Sequence, residues 1–238
     1  MLATVVPGFL QNLYVTGAVL LVCVVALWLL SIALRDISII DIFWGPAFGI
    51  VALTGYLLSA DHGFDDRRVL VTVLTVLWAV RLGGYLWWRN HGKGEDPRYT
   101  AAFRDRFAQN LHWHTFTQVF LLQGFLVWLI SIPVQFAQYL VVPDFGLAAY
   151  IGVGLWFIGL MFEAVADWQL ARFKADPASH GRVLDHGLWH YSRHPNYFGN
   201  ACLWWVFAGK FAAASFAINA PMSASANSLS CTLPPGVV

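Results

Sequence analysis

Glu163 and Asp167 stand four residues apart at the end of an apolar run that carries no other charge. On a helix that spacing places both carboxylates on one face. Two acids side by side repel unless donors engage them. Those donors are the hydroxyls and amides of a ligand, as ribose and nicotinamide would supply, or a cation on another helix such as Arg81. Beyond the pair the chain gathers the opposite charge in Arg172, Lys174, Arg182 and Arg193, just ahead of His194-Pro195-Asn196. Pro195 presets φ for a helix start, and free N–H groups at a helix N-terminus favour an anion. Carboxylates on one wall and guanidiniums on the other suit a ligand with both hydroxyls and phosphates, which describes a nucleotide. The same basic loop equally suits anionic lipid headgroups.

Two more ionisable residues interrupt apolar runs. Asp41 lies in Ser-Ile-Ile-Asp-Ile-Phe-Trp-Gly-Pro, and Arg81 in Trp-Ala-Val-Arg-Leu-Gly-Gly-Tyr. A charge inside a bilayer costs about 3 kcal/mol or more unless it is paired or wet. Asp41 reads either as a site residue or as an interfacial cap, and Arg81 either as a site residue or as a side chain that snorkels to the interface. No nucleophile arrangement accompanies them: Gly-x-Ser-x-Gly, His-Glu-x-x-His and Gly-x-Gly-x-x-Gly are all absent. His112 and His114 flank Trp113 at a spacing that points them apart on a helix, so no metal site is expected. Cys23, Cys202 and Cys231 are odd in number and far apart, which fits neither a disulfide framework nor a zinc site.

The elements that position these residues follow from composition. The 238 residues are 58% hydrophobic and 11% charged, against roughly 25% charged in soluble domains. A bilayer is crossed by helices of ~20 apolar residues. Six such runs are expected at Leu13–Leu34, Ile39–Ser59, Val69–Trp88, Phe116–Ala137, Gly146–Ala166 and Tyr197–Phe216. The chain therefore reads as an all-α, polytopic membrane bundle forming a single domain over residues 1–216, with loops at about 89–113 and 168–195. The first run lacks a basic residue before it and a cleavage site after it, so a removable signal peptide is not expected. Net charge is +1 with no Lys/Arg run, which speaks against nucleic acid as a partner; no protein partner is evident.

Basic residues concentrate on one side of this arrangement. Arg35, Arg89, Lys93, Arg98, Arg104, Arg106, Arg172, Lys174, Arg182 and Arg193 fall in the first, third and fifth loops, against Arg67, Arg68 and Lys210 opposite. Lys/Arg bias keeps such loops in the cytosol, so the N-terminus is expected outside. Twelve Trp residues, including Trp87-Trp88 and Trp204-Trp205, fit interfacial belts or helix packing.

Gly-Leu-Trp-His-Tyr-Ser-Arg-His-Pro-Asn-Tyr-Phe-Gly at 187–199, preceded by Glu-x-x-x-Asp, resembles the membrane reductases of the steroid 5α-reductase superfamily. The bacterial DUF1295 branch matches best: Asp-Ile-Phe-Trp-Gly-Pro at 41–46 and Arg-Asn-His-Gly-Lys-Gly-Glu-Asp-Pro-Arg-Tyr at 89–99 are similar to it, and the likeness covers about residues 35–210. It implies a multi-helix enzyme of the bacterial inner membrane. Such an enzyme uses NADPH to reduce a C=C bond conjugated to a carbonyl in a lipophilic, steroid-like or other enone substrate. It also implies that Glu163, Asp167, Arg172, Lys174, Arg182, Tyr191, Arg193, His194, Asn196 and Asn200 surround the cofactor. Arg81 and Tyr85 resemble a family Arg-x-x-x-Tyr pair on the third span and are expected to be catalytic together with Asp41, which substitutes for a Glu that the steroid enzymes place at the substrate carbonyl; Gln123 is a further lining residue. The methyltransferases of the isoprenylcysteine and phospholipid type, which bind S-adenosylmethionine, share a related Arg-His-Pro-x-Tyr-x-Gly motif and form the alternative; a non-catalytic paralogue is the third.

Three features depart from the reductase pattern. Asn200 stands where the family places Glu after Pro-Asn-Tyr-Phe-Gly. Trp78 stands at the position of a steroid-contacting Tyr, so the substrate need not be a steroid. The family usually has seven helices and a basic, aromatic terminal segment, whereas residues 217–238 are small, polar and uncharged. A truncation or frameshift after about residue 210 is the expectation drawn from that tail.

Overall fold

A computed structural model of the chain describes residues 2–141 and 146–205, and its regular structure there is helical throughout. Five helices are long and apolar enough to cross a membrane: Val6–Leu34, Ile39–Leu58, Asp65–Asn90, Leu111–Ile130 and Ala149–Ala175. They are called the first to fifth spans below. The expected sixth span falls largely outside the described residues. A helix begins at residue 195, where Pro195 places it, and is described as far as 205. The 217–238 tail and Cys231 also lie outside them.

Differences from the expected bounds have local causes. The fourth span stops at Ile130 and a separate helix runs Ile132–Gln138. Pro133 offers no N–H, and its ring crowds the carbonyl four residues back, so one continuous helix is unfavourable there. The fifth helix runs on to Ala175, so Arg172 and Lys174 ride on its last turn, where cations complement the helix dipole. Much of the spans' outer surface is apolar: Val22, Leu57 and Val80 are each about two-thirds exposed or more (68%, 73% and 67%). Lipid tails, which demand no polar partner, suit such a surface, and the chain is a helical membrane protein.

Small residues let the spans approach closely. A Cβ on Gly45 would fall 2.8 Å from the Ala79 carbonyl, and one on Gly83 would fall 2.7 Å from the Pro46 ring. The second and third spans therefore pack backbone to backbone. Phe48, Trp78 and Trp204 fill the space beside them, with ring centroids 4.7–5.4 Å apart. At the acidic end of the third span, buried Arg68 donates to Ser59 Oγ at 2.9 Å and to the Tyr56 carbonyl at 2.7 Å. A buried amide network there, Asn12 to Gln135 at 2.9 Å and Gln138 to Thr72 at 2.8 Å, ties the first and third spans to the Ile132–Gln138 helix.

Candidate functional site at the basic end

Trp78, Arg81, Tyr85 and Arg89 follow one another at three- or four-residue intervals on the face of the third span that meets the fifth. Trp78 Nε1 donates to Glu163 Oε2 at 3.0 Å, and Arg81 Nη1 to Glu163 Oε1 at 2.8 Å. Arg81 Nη2 donates to Asp167 Oδ2 at 2.5 Å, and the Tyr85 hydroxyl to the Asp167 carbonyl at 3.2 Å. The i, i+4 acids thus share a face, and Arg81 is the cation that reconciles them. Both carboxylates are buried, with side-chain exposures of 5% and 8%, and Arg81 itself is 18% exposed. Without that guanidinium, two charges would be stranded in low dielectric.

The last described helix completes this wall. A Cβ on Gly199 would fall 2.5 Å from the Gly159 carbonyl, and one on Gly159 would fall 2.7 Å from the Gly199 carbonyl. That approach brings Asn196 Nδ2 within 3.2 Å of Asp167 Oδ1 and sets Asn200 beside Glu163. Before it, Gly187 turns with φ 63°, where a side chain would be strained and would also meet Gln169. The turn is pinned to the fifth span by Leu188 N–H donating to Gln169 Oε1 at 3.0 Å and Trp189 Nε1 to the Ala166 carbonyl at 3.0 Å.

Opposite stands a clamp built by the 89–99 motif. Glu95 Oε1 accepts the Ile37 N–H at 2.7 Å, and Arg104 Nη2 donates to the Arg35 carbonyl at 2.7 Å. These bonds seat the loop over the start of the second span. Asp96 caps the following turn, accepting from Arg98 N–H at 2.9 Å, and Tyr99 then donates to Asp41 Oδ1 at 2.6 Å. Gln123 Nε2 approaches the Tyr99 oxygen at 3.5 Å, and Arg98 approaches Asp41 at 3.5 Å. Burial, followed by the hydrogen bond to Asp41, pushes the Tyr99 phenol well above its ordinary pKa, so it stays a donor. Glu95 is held below the usual carboxylate range: burial opposes ionisation, but hydrogen bonds from Arg104, Ile37 N–H and Thr100 outweigh it.

Between the two walls lies a cavity of about 330 Å³, lined among others by Asp41, Tyr85, Arg89, Gln123, Asn196 and Asn200. A second, larger cavity of about 980 Å³ lies outward from it, lined by the end of the fifth helix and the loop beyond, with Lys174, Arg182, Arg193 and His194 on its walls. The fifth helix and the 193–200 segment contribute to both. The residues expected at a cofactor are therefore divided. Glu163, Asp167, Asn196 and Asn200 line the inner cavity with Tyr85, Asp41 and Gln123, Arg81 is bonded to Glu163 and Asp167 behind that wall, and Lys174, Arg182, Arg193 and His194 line the outer one. Arg172 and Tyr191 line neither: Arg172 sits 5.5 Å from the Trp168 ring, and Tyr191 is 87% exposed.

Sequence reasoning passed over Arg89, Arg98, Tyr99 and Glu95 as individual site residues. Their signal was present in the 89–99 motif, where a Gly-rich turn followed by Glu-Asp-Pro-Arg-Tyr marks a capped, structured loop. Ile37, bonded to Glu95, and Asp41, bonded to Tyr99, lie more than fifty residues away and leave no mark in that motif.

Residues 27–229 match the family described as proteins of unknown function, DUF1295. No curated protein and no solved structure matches the chain. The family match spans most of the sequence and takes in both walls of the inner cavity, and the chain is a member of the DUF1295 family.

Proposed function

We propose that this protein is a membrane-embedded reductase that uses NADPH to saturate a C=C bond conjugated to a carbonyl in a lipophilic substrate. The observation that carries this reading is the pair of cavities along the fifth helix, one amide- and carboxylate-walled at the level of Asp167, the other basic and nearer the loops. The donor sets fit the cofactor. Asn196, Asn200 and Arg89 offer hydrogen bonds to a carboxamide and sugar hydroxyls, while Lys174, Arg182 and Arg193 offer charge to phosphates. The likeness to the steroid 5α-reductase superfamily points the same way.

Bound NADPH would supply a hydride to the β-carbon of the enone. The chain's own residues hold the partners and manage charge. Arg81, fixed by Glu163 and Asp167, sets through Asp167 the position of Asn196 and so of the wall that would hold the nicotinamide end. Gln123 and Arg98 on the facing wall stabilise negative charge as it develops on the carbonyl oxygen. The α-carbon would then take a proton, for which the Tyr99–Asp41 pair and Tyr85 offer hydroxyls on the two walls of the inner cavity, giving the saturated carbonyl compound and NADP⁺ as products. The basic ends of the spans face the cytosol of a bacterial inner membrane in this reading, on the side where NADPH is available, and the N-terminus lies outside.

Quenching of NADPH fluorescence by purified protein tests it. Wild type quenches with saturable affinity; Asp167→Asn and Asn196→Ala each lose about tenfold, the scale of one charge-assisted hydrogen bond. Absence of NADPH affinity in both detergent and lipid overturns the reading. Binding of S-adenosylmethionine instead would assign the chain to the methyltransferase alternative, and binding of neither to the non-catalytic one.

A further inference from the structure

The first and fourth spans meet along a seam that holds two more cavities, neither used by the reductase reading. At the basic end, about 390 Å³ is enclosed by Ser31, Ile32 and Arg35 on one side and by Arg104, His112 and Thr115 on the other. Further along lies a groove of about 300 Å³, where Gly17, Leu21 and Val24 face Gly124, Phe125 and Trp128. Residues 17, 21, 24, 28, 32 and 35 recur every three or four positions, so both cavities lie on one face of the first helix. At ~1.5 Å per residue, Val24 is ~10 Å from Ser31 along the axis. That is within the ~15 Å of a single leaflet's hydrocarbon. Headgroup depth and acyl-chain depth are thus both represented on one continuous seam.

Charge separates this seam from an ordinary lipid-facing groove. Arg104 is paired, its Nη2 3.0 Å from Glu95 Oε1, and the carboxylate of Asp36 is engaged by Ser38 N–H and Oγ at 2.8 and 2.6 Å. Arg35 makes no ion pair among the described residues, and its backbone sits at φ 54°, the left-handed region that non-glycine residues seldom adopt. Between the two cavities, Trp28 packs its ring 4.7 Å from Phe116, and its buried Nε1–H finds no acceptor among the described residues.

We propose that this seam binds one anionic phospholipid from the leaflet at the basic end. Arg35 and His112 hold the phosphate, and the groove between Val24 and Phe125 takes an acyl chain. A zwitterionic headgroup would bring its own cation against Arg35, so the site selects negative net charge. This inference does not depend on the reductase reading.

Native mass spectrometry of the full chain, exchanged with phosphatidylglycerol or phosphatidylcholine vesicles before detergent extraction, tests it. One phosphatidylglycerol per chain is retained in preference to phosphatidylcholine. Arg35→Gly removes the cation at a φ that glycine accepts freely, so folding survives while retention of phosphatidylglycerol falls about fivefold or more, the scale of one interfacial cation. Leu21→Trp, at a position 49% exposed, fills the groove from its outer side and lowers retention of both lipids. Lys93→Gln, a charge removed from an exposed loop, leaves retention unchanged. Equal retention of the two lipids by wild type, full retention by Arg35→Gly, or an equal loss in Lys93→Gln each overturns the site.

Discussion

Arg81 on the third span donates to Glu163 on the fifth at 2.8 Å, across 82 residues of sequence. The same guanidinium reaches Asp167 one turn further on, so a single cation holds two buried acids and, through them, two membrane helices. Trp78 N–H and the Asn196 amide add further hydrogen bonds to the two acids. A buried ion cluster is costly to assemble but more costly to break, because removing one member leaves the others unpaired.

Arg81→Leu is therefore the most damaging single change at the site. It strands two carboxylates and is expected to cost about 3–5 kcal/mol, read as loss of folded protein in a denaturant titration in detergent. Glu163→Gln, which keeps a hydrogen-bonding side chain of the same shape, is expected to cost much less. Equal damage from the two would mean that the guanidinium's charge is not what holds the spans.

Gly199→Ala tests the close approach that aligns Asn196 with Asp167. The new methyl meets the Gly159 carbonyl and the Glu163 backbone nitrogen, 2.5 and 2.6 Å away. Neither is a flexible side chain, so the helices must separate, at about 1–3 kcal/mol. NADPH affinity should fall together with thermal stability. Gly84→Ala, where nothing lies within 4 Å, should leave both unchanged.

Tyr99→Phe removes the hydroxyl that donates to Asp41 at 2.6 Å. A hydrogen bond to a charged acceptor is worth about 1.5–3 kcal/mol, and the loop clamp should loosen by that order in an unfolding titration. NADPH affinity should hold, because Tyr99 stands on the wall opposite Asn196, while turnover of an enone substrate should fall. A loss of NADPH affinity instead would place the cofactor against the wrong wall.

Acid should release the same clamp through Glu95. Its carboxyl is depressed in the folded chain, so its contribution to stability is fully present above the ordinary Glu value of about 4.3. That contribution fades as pH falls through the lower folded value. The melting temperature of wild type should drop steeply below that point, and Glu95→Gln should start lower and show a shallower acid limb. Parallel acid limbs in the two proteins would remove Glu95 from the account.

Hydrophobic run length located the first five spans, because a backbone in lipid must satisfy its own hydrogen bonds and local apolarity is enough to say where it does so. The i, i+4 spacing of Glu163 and Asp167 fixed a shared face for the same local reason, and Pro195 marked a helix start. Pairing was another matter. Arg81 in its span was compatible with snorkelling, with a ligand and with a salt bridge; which helix face meets which decided for the bridge. Asp41 finds Tyr99, and Glu95 finds the Ile37 N–H, only because the loop after the third span folds back over the second. The basic residues of the 168–195 loop form one pocket with the acids on charge alone, yet the fifth span's helix continues to Ala175, and Lys174, Arg182 and Arg193 line a separate outer cavity. These outcomes rest on contacts between distant segments, set by glycine-permitted close approach and by burial. A linear pattern names the groups that need partners, and packing chooses the partners.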